Sequence, residues 1–560
     1  MLRFAPGLAH LLLIGSVAAG LAGTVLPAFG YLPVLGADRF GLAAFEALFA
    51  TPGLGISVAL ALASGLVTTA VSVVIVIALV AGWWGTPSFA RLRHLVSPLL
   101  SIPHAAAAFG LAFLIAPSGW LMRLFSPWAT GLDRPPDLLI VNDAYGLAMM
   151  AGLVGKEVPF LLLMVIAALP QTKAAHLTQV TSSLGYGRVA GWMKAVFPQV
   201  YRQIRLPVLA VVAYASSVVD VALILGPTTP APLAVRLVGW MGDPDIAMRF
   251  KASAGALLQL GVTGAALLGW LLIEWLVRRI GSGLFTDGRR MADDRALRGV
   301  SLSVMVGLVA VSLAGMGVVA LWSVAGFWRF PDALPDSFSL NNWSVHLGQS
   351  LGVLNTTLVL AAAAVVVALG VALATLENQD RRRQRPGAGS VWLIYVPLLV
   401  PQVAFLFGLN IVFLWLGIAG SAGALLFVHV IFVLPYVLLS LSDPWAAWDR
   451  RYAMVAGGLG IAPAGVFWRV RLPMLLRAVL TAGAVGFAVS IGQYLPTLLI
   501  GGGRWPTITT EAVALASGGN RQIIAVYAVL QMALPFIGFG LAMLVPDWLY
   551  RSRRALKGPH

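Results

Sequence analysis

The sequence predicts an all-α integral membrane protein whose twelve transmembrane helices form two parallel six-helix halves. Three observations carry this. Apolar residues make up 59% of the 560 and charged residues 10%, with a mean hydropathy of +0.90, against roughly 25% charged in a soluble domain. The apolar runs are long enough to cross about 30 Å of hydrocarbon as helix, which closes its own backbone hydrogen bonds. The same patterned loop also occurs twice, at matching places in the two halves of the chain.

In order, the spans cover 7–29, 54–82, 96–117, 142–169, 207–226, 254–277, 301–324, 350–376, 391–414, 422–442, 478–500 and 522–546. Arg3 ahead of an apolar run resembles a signal peptide, but the run is long and lacks a small-residue cleavage site, so an uncleaved first helix is expected. With the N-terminus inside, roughly three cationic residues fall in inner segments for each one outside, including Arg278 to Arg298, Arg381 to Arg385 and Arg551 to Lys557. That bias places both termini in the cytoplasm. The net charge of +16 therefore marks topology, and no nucleic-acid partner is expected. The chain has no cysteine, which excludes disulfides and thiolate metal sites; no metal or cofactor is expected. Trp83, Trp84, Trp120, Trp128, Trp328, Trp343 and Trp505 lie near span ends, as belt residues against lipid headgroups do.

The halves are residues 1–277, with a core at about 54–277, and 300–560, with a core at about 350–546. The linker 278–299 is polar and Gly-containing and reads as a plain solvated joint. Several short matches run in the same order in both halves. Pro98-Leu-Leu-Ser-Ile-Pro103 answers Pro397-Leu-Leu-Val-Pro401, Pro159-Phe160 answers Pro435-Tyr436, and Gly226 answers Gly501. An even number of spans separates the members of each pair, so a parallel duplication follows, with its axis along the membrane normal.

The repeated loop runs from Gln179 to Pro198 (QVTSSLGYGRVAGWMKAVFP) and from Met454 to Pro473 (MVAGGLGIAPAGVFWRVRLP). Gly185 and Gly460 each precede a Pro by 13 residues, Pro198 and Pro473; Trp192 and Phe467 sit seven after the Gly, Lys194 and Arg469 nine after it. This pattern predicts a short helix lying on the cytoplasmic face, its aromatic side on the bundle and its cation toward solvent or a partner. Two such elements related by a two-fold would suit a symmetric pair of cytoplasmic subunits. Periodicity alone leaves open a helix that only anchors the spans.

The spacing resembles the EAA loop of ABC importer permeases: Glu-Ala-Ala, three residues, Gly, nine residues, Ile-x-Leu-Pro. Val470, Leu472 and Pro473 match its end, while the first copy has Ala195, Phe197 and Pro198 there. Neither copy keeps the leading Glu-Ala-Ala. Gln179-Val180-Thr181 and Met454-Val455-Ala456 stand in its place, so the family's acidic contact to its ATPase is missing or carried by another residue. Leu354-Asn355-Thr356 resembles the start of the permease core, with Leu66-Val67-Thr68 as its counterpart. Two fused halves resemble the thiamine and ferric-iron permeases, and Val218 to Pro230 (VVDVALILGPTTP) is similar to a thiamine-type branch of that group.

The resemblance implies a type I importer permease fold in a bacterial inner membrane. It implies a non-catalytic subunit, ATP being hydrolysed by two copies of a separate ATP-binding subunit; no G-x-x-x-x-G-K-[ST] stretch occurs in this chain. Those copies are expected on the loops, at Gln179, Gly185, Trp192, Lys194, Pro198, Met454, Gly460, Phe467, Arg469 and Pro473. A periplasmic solute-binding protein is expected on the outer loops. Thiamine or a related compound is the solute implied, with ferric iron or another small solute as alternatives.

Polar residues at membrane depth are the candidates for the translocation pathway. Asp220 lies mid-span among Val219, Val221 and Ala222, where a cationic substrate group or a neighbouring Gln or Ser would pair with it. Lys156 and Glu157 precede Pro159; neighbours in sequence do not face each other on a helix, so each needs its own partner, or serves a kink at the proline. Gln493, Tyr494 and Asn410 complete the set, and His429 reads as a satisfied core histidine. A twelve-helix transporter driven by an ion gradient shares the six-plus-six repeat. The loop from Trp83 to Val96 lacks the Gly-x-x-x-Asp-Arg-x-Gly-Arg type of segment such a protein carries, and no H-E-x-x-H suggests a membrane enzyme.

Overall fold

In the computed structural model, which describes residues 2–33, 36–382 and 388–551, the apolar runs are mostly helical. Arg383, Arg385, Arg553, Arg554 and Lys557, which contribute to the charge bias, lie outside the described residues. The first half contains α1 (Leu2–Ala28), α2 (Leu54–Trp83), α3 (Pro87–Ser101), α4 (His104–Ile115) and α5 (Leu147–Ala168). It continues with α6 (Ala174–Ser183), α7 (Arg188–Ala195), α8 (Phe197–Ser217), α9 (Asp220–Leu225) and α10 (Ala247–Thr286). The second half contains α11 (Arg295–Val324), α12 (Asn341–Arg381), α13 (Ala388–Leu399), α14 (Gln402–Trp415) and α15 (Ala422–Ala447). After these come α16 (Arg451–Gly458), α17 (Pro463–Val466), α18 (Leu476–Ile491), α19 (Leu495–Gly501) and α20 (Arg521–Leu549).

Among the described residues nine helices are long and apolar enough to cross a membrane, and two bent pairs raise the number to eleven. The expected span 207–226 is not among them. Its helix α8 spends its first turns on Pro198, Arg202 and Arg205, then stops at Ser217; α9 resumes after Val218 and Val219. The expected spans 96–117 and 391–414 are also broken. Pro103 forces Ile102 out of the helical region (ψ 127°), since a proline ring clashes with a helical residue before it. At Pro401 the two pieces of the other span meet at 89°.

Each break frees carbonyls that must find donors. Lys156 of α5 donates to the carbonyls of Leu99 at 2.9 Å, Leu100 at 3.4 Å and Ile102 at 2.5 Å, and so caps the end of α3. Gln259 of α10 donates to the Ser216 carbonyl at 3.1 Å, at the end of α8. Gln531 of α20 donates at 2.8 Å to the Thr509 hydroxyl, which in turn donates to the Ile491 carbonyl at the end of α18.

The chain's first helix, α1, packs on α14, far along the sequence. Gly20 and Gly23 of α1 lie on the backbone of Phe405 and Gly408 in α14; a Cβ at either glycine would fall 2.3 Å from a carbonyl oxygen. Thr24 seals this contact, donating to the Ala404 carbonyl at 2.8 Å and accepting from the Gly408 amide at 3.1 Å. Likewise α11 meets α4 where Gly315 and Gly110 touch backbone to backbone. Small residues serve here as they do between membrane helices generally: they admit close approach.

Candidate functional site

Both copies of the repeated loop turn at their glycine in the same way. Gly185 and Gly460 each have φ +80°, a left-handed conformation that ends α6 and α16 and that residues with a Cβ avoid. A short helix follows in each, α7 and α17. Pro198 then sits in the first turn of α8, where its missing N–H has no partner to lose. In the second copy the chain winds as a π-helix over Phe467–Arg471 before Pro473 opens the next turn, Leu472–Met474.

The aromatics of both loops pack on neighbouring rings. Trp192 is 1% exposed and packs on Phe197 at 6.4 Å between ring centroids, and Phe467 packs on Trp445 at 6.2 Å. The cations differ. Arg469 is exposed, but Lys194 turns onto the linker and pairs with Asp287 at 2.8 Å. The hydrogen bond from Lys194, followed by that from the Arg289 amide, holds the Asp287 carboxyl below its ordinary value. The linker is thus no plain solvated joint; it lies against the first loop. Gln179 and Met454, at the positions of the absent glutamates, are both exposed. Around Met454, the side chains of Val455, Leu459 and Trp468 are also exposed, so the second loop presents an apolar surface.

Beneath the second loop lies a charge cluster that the repeat did not reveal. Arg471 is buried and donates to Glu377 at 3.0 Å and to Asp380 at 2.6 Å, both at the C-terminal end of α12. Its guanidinium also lies 4.2 Å from the Trp445 ring centroid and 4.6 Å from that of Trp448. Arg450 bonds Asp380 as well, and Arg381 pairs with Glu377 at 2.6 Å while donating to the Pro463 carbonyl at 3.2 Å. A cavity of about 200 Å³ opens beside this group, lined by Trp448, Pro463, Phe467 and Arg471 among others. The first copy has Val196 where Arg471 stands, so comparison of the two loops pointed away from it. The usable signal was the trio Glu377, Asp380 and Arg381 closing a long apolar run.

Asp220 and Glu157 are both buried. His104 bridges toward Glu157 at 3.6 Å and lies 4.8 Å from the Tyr214 ring. Asp220 is within electrostatic reach of His104, Tyr214 and Tyr494, and Glu157 within reach of Tyr214 and Tyr436. The group therefore joins α4, α5, α8 and α9 to α15 and the start of α19. Lys156 points away from it, onto α3. Gln493 donates to the His429 carbonyl at 3.3 Å; His429 itself is bonded on both ring nitrogens, to Ser490 at 2.8 Å and Thr497 at 3.0 Å. Asn410 is half-buried on α14, with no hydrogen bond to the central group. Among the described residues no three metal-ligating side chains converge.

No family model matches the chain. It is, however, 34% identical over 516 residues to the inner membrane ABC transporter permease protein YnjC of Escherichia coli (strain K12), a match covering 92% of both chains. The chain belongs to the ABC transporter permeases. As such it is a multi-pass membrane subunit without catalytic activity of its own. Two further permeases match over parts of the chain. The molybdenum transport system permease protein ModB of Mycobacterium bovis is 32% identical over 160 residues, 26% of this chain and 58% of ModB. The putrescine transport system permease protein PotI of Escherichia coli (strain K12) is 25% identical over 247 residues, 42% of this chain and 83% of PotI.

Proposed function

We propose that this permease forms the membrane pathway of an ATP-driven importer in a bacterial inner membrane, with both termini in the cytoplasm. In this reading the chain crosses twelve times, α8 with α9 making the crossing beyond the eleven. Residues 1–277 and 300–560 are parallel halves joined by 278–299. Two copies of an ATP-binding subunit grip 179–198 and 454–473, and their closure moves both loops together to alternate access to a central site. The observation that carries the reading is the matched turn, Gly185 and Gly460 at the same φ of +80°, each leading into a short helix and a proline. The Lys/Arg bias supports the orientation. A periplasmic binding protein would rest on the outer loops, where a cleft of about 550 Å³ is lined by Asp133, Arg134, Arg329 and Asp332 from both halves.

The solute assigned is an organic cation of the thiamine type. Two buried carboxylates, Glu157 and Asp220, stand among Tyr214, Tyr436 and Tyr494, and carboxylates with aromatic faces suit a positive charge shed of its water. The likeness to PotI, whose name specifies putrescine, points to the same chemical class. The test is uptake of labelled thiamine and putrescine into proteoliposomes holding this permease with its ATP-binding subunit and binding protein. ATP-dependent uptake of either cation is expected. Uptake driven by an ion gradient with no ATPase present overturns the importer reading, and transport confined to anions overturns the solute class.

A further inference from the structure

The linker between the halves makes more contacts with the first loop than a connection needs. Leaving α10 at Thr286, it holds both ends of the eight-residue helix α7. At the C-terminal end Lys194 donates to Asp287 at 2.8 Å and to the Arg289 carbonyl at 3.3 Å. At the N-terminal end the Gly187 amide donates to the Arg290 carbonyl at 2.8 Å, and the Val189 amide to the Asp294 carboxylate at 2.8 Å. No side chain of α7's own N-cap residue supplies that acceptor, since the residue is Gly187. The approach is close: a Cβ on Gly187 would lie 1.9 Å from the Met291 carbonyl oxygen, and Met291 itself is held at φ +41°, in the left-handed region.

The second loop has no such strap among the described residues. There the acids come from a transmembrane helix, Glu377 and Asp380 at the end of α12, and they hold Arg471. In the first half α2 ends in Trp83 and Trp84, which offer no charge. Arg188 bonds the Trp84 carbonyl, and Trp83 donates to the Arg298 carbonyl at 2.9 Å. Asp287 and Asp294 of the linker stand where α2 has no acid to give.

We infer that the linker is a positioning strap for the first coupling loop, with Asp287 and Asp294 as its working residues. The inference rests on the reading of residues 179–198 as a coupling loop. Because the strap is continuous with α11, and α11 packs on α4, displacement of α7 is carried directly into the second half's first helix. The two loops are therefore inequivalent: one works through a covalent strap, the other through the buried charge cluster on α12.

Charge exchange tests this. In proteoliposomes with the ATP-binding subunit and binding protein, Asp287→Lys is expected to lower solute moved per ATP hydrolysed about ten-fold, while hydrolysis stays within about two-fold, and Lys194→Asp is expected to lower the same ratio about ten-fold. The double variant should restore the ratio. Singles with an unchanged ratio, or a double no better than the singles, overturn the proposal. Cutting the linker at a protease site inserted between Ala292 and Asp293, after insertion and assembly, bypasses any folding defect: coupling should fall on cleavage, and unchanged coupling overturns the proposal. The chain has no cysteine, so Lys194→Cys with Asp287→Cys can be joined by a short thiol cross-linker in membranes without any ATPase. Efficient joining is expected whether or not the chain is an importer; its absence overturns the strap alone.

Discussion

Arg471 donates to Asp380 at 2.6 Å, which suspends the second loop from the end of the 41-residue helix α12. The contact is a lever joint as much as a stabilising pair. Any displacement of the π-helical turn that carries Arg471 must either move α12 or pull a buried guanidinium out of two indole faces.

Arg471→Met should therefore be costly. It leaves the buried Glu377 with Arg381 as its remaining cation and empties the site between the two indoles; breaking a buried pair from one side costs up to about 3–5 kcal/mol. Arg471→Lys keeps the charge but loses the planar fork and its stacking, so an intermediate loss is expected. Denaturation of the purified permease in mixed detergent measures both.

Gly185→Val and Gly460→Val should leave insertion intact but separate hydrolysis from uptake. A β-branched residue at φ +80° carries strain of about 1–2 kcal/mol, relieved by rotating the turn that aims α7 or α17. The expected result is binding-protein-stimulated ATP hydrolysis with little solute moved in the same vesicles. Normal values of both would remove the turn from the coupling path.

Lys156 and Asp220 should respond differently although both are buried charges. Lys156→Met exposes three carbonyls at the end of α3 to an apolar interior, so folded yield should drop sharply. Asp220→Asn keeps the size of the side chain, so yield should hold while uptake of a cationic solute falls about ten-fold. Size-exclusion profiles and uptake assays distinguish the two outcomes.

Acid should release the strap in a defined window. Asp287 lies below its ordinary value of 3.8 because Lys194 and the Arg289 amide favour its charged form. Its contribution is therefore complete above pH 3.8 and is lost only as pH falls through the lower, folded value. Linker cleavage by an acid-active protease should stay slow from pH 6 down to that point and accelerate below it. Asp287→Asn should abolish the acceleration by making cleavage fast throughout.

Much of this architecture was legible in composition and spacing, because burial in lipid leaves the chain few choices. The paired motifs Pro98 to Pro103 and Pro397 to Pro401 mark real breaks, yet hydropathy reads each as one continuous span. A window average cannot register two extended residues between apolar helices. The same limit hides the stop at Ser217. Lys156 looked like a pathway residue since its partners are backbone carbonyls, which carry no signature in sequence. The linker looked solvated because its polar side chains do face water in part; what binds it to α7 is two carboxylates and two backbone carbonyls whose partners lie about a hundred residues away. Arg471 stayed hidden for the opposite reason: the first half solves the same mechanical problem with different residues.

The packing of α1 on α14 has a consequence for how the chain is made. Thr24 waits for Ala404, 380 residues further along, an interval of roughly 20–80 s at bacterial elongation rates. Until then Gly20 and Gly23 lack the backbone of Phe405 and Gly408 that they pack on in the finished chain. That seam therefore closes only once α14 has been made. Two separately made halves would have to find each other in the bilayer with those seams open; a single ribosome delivering both removes that search.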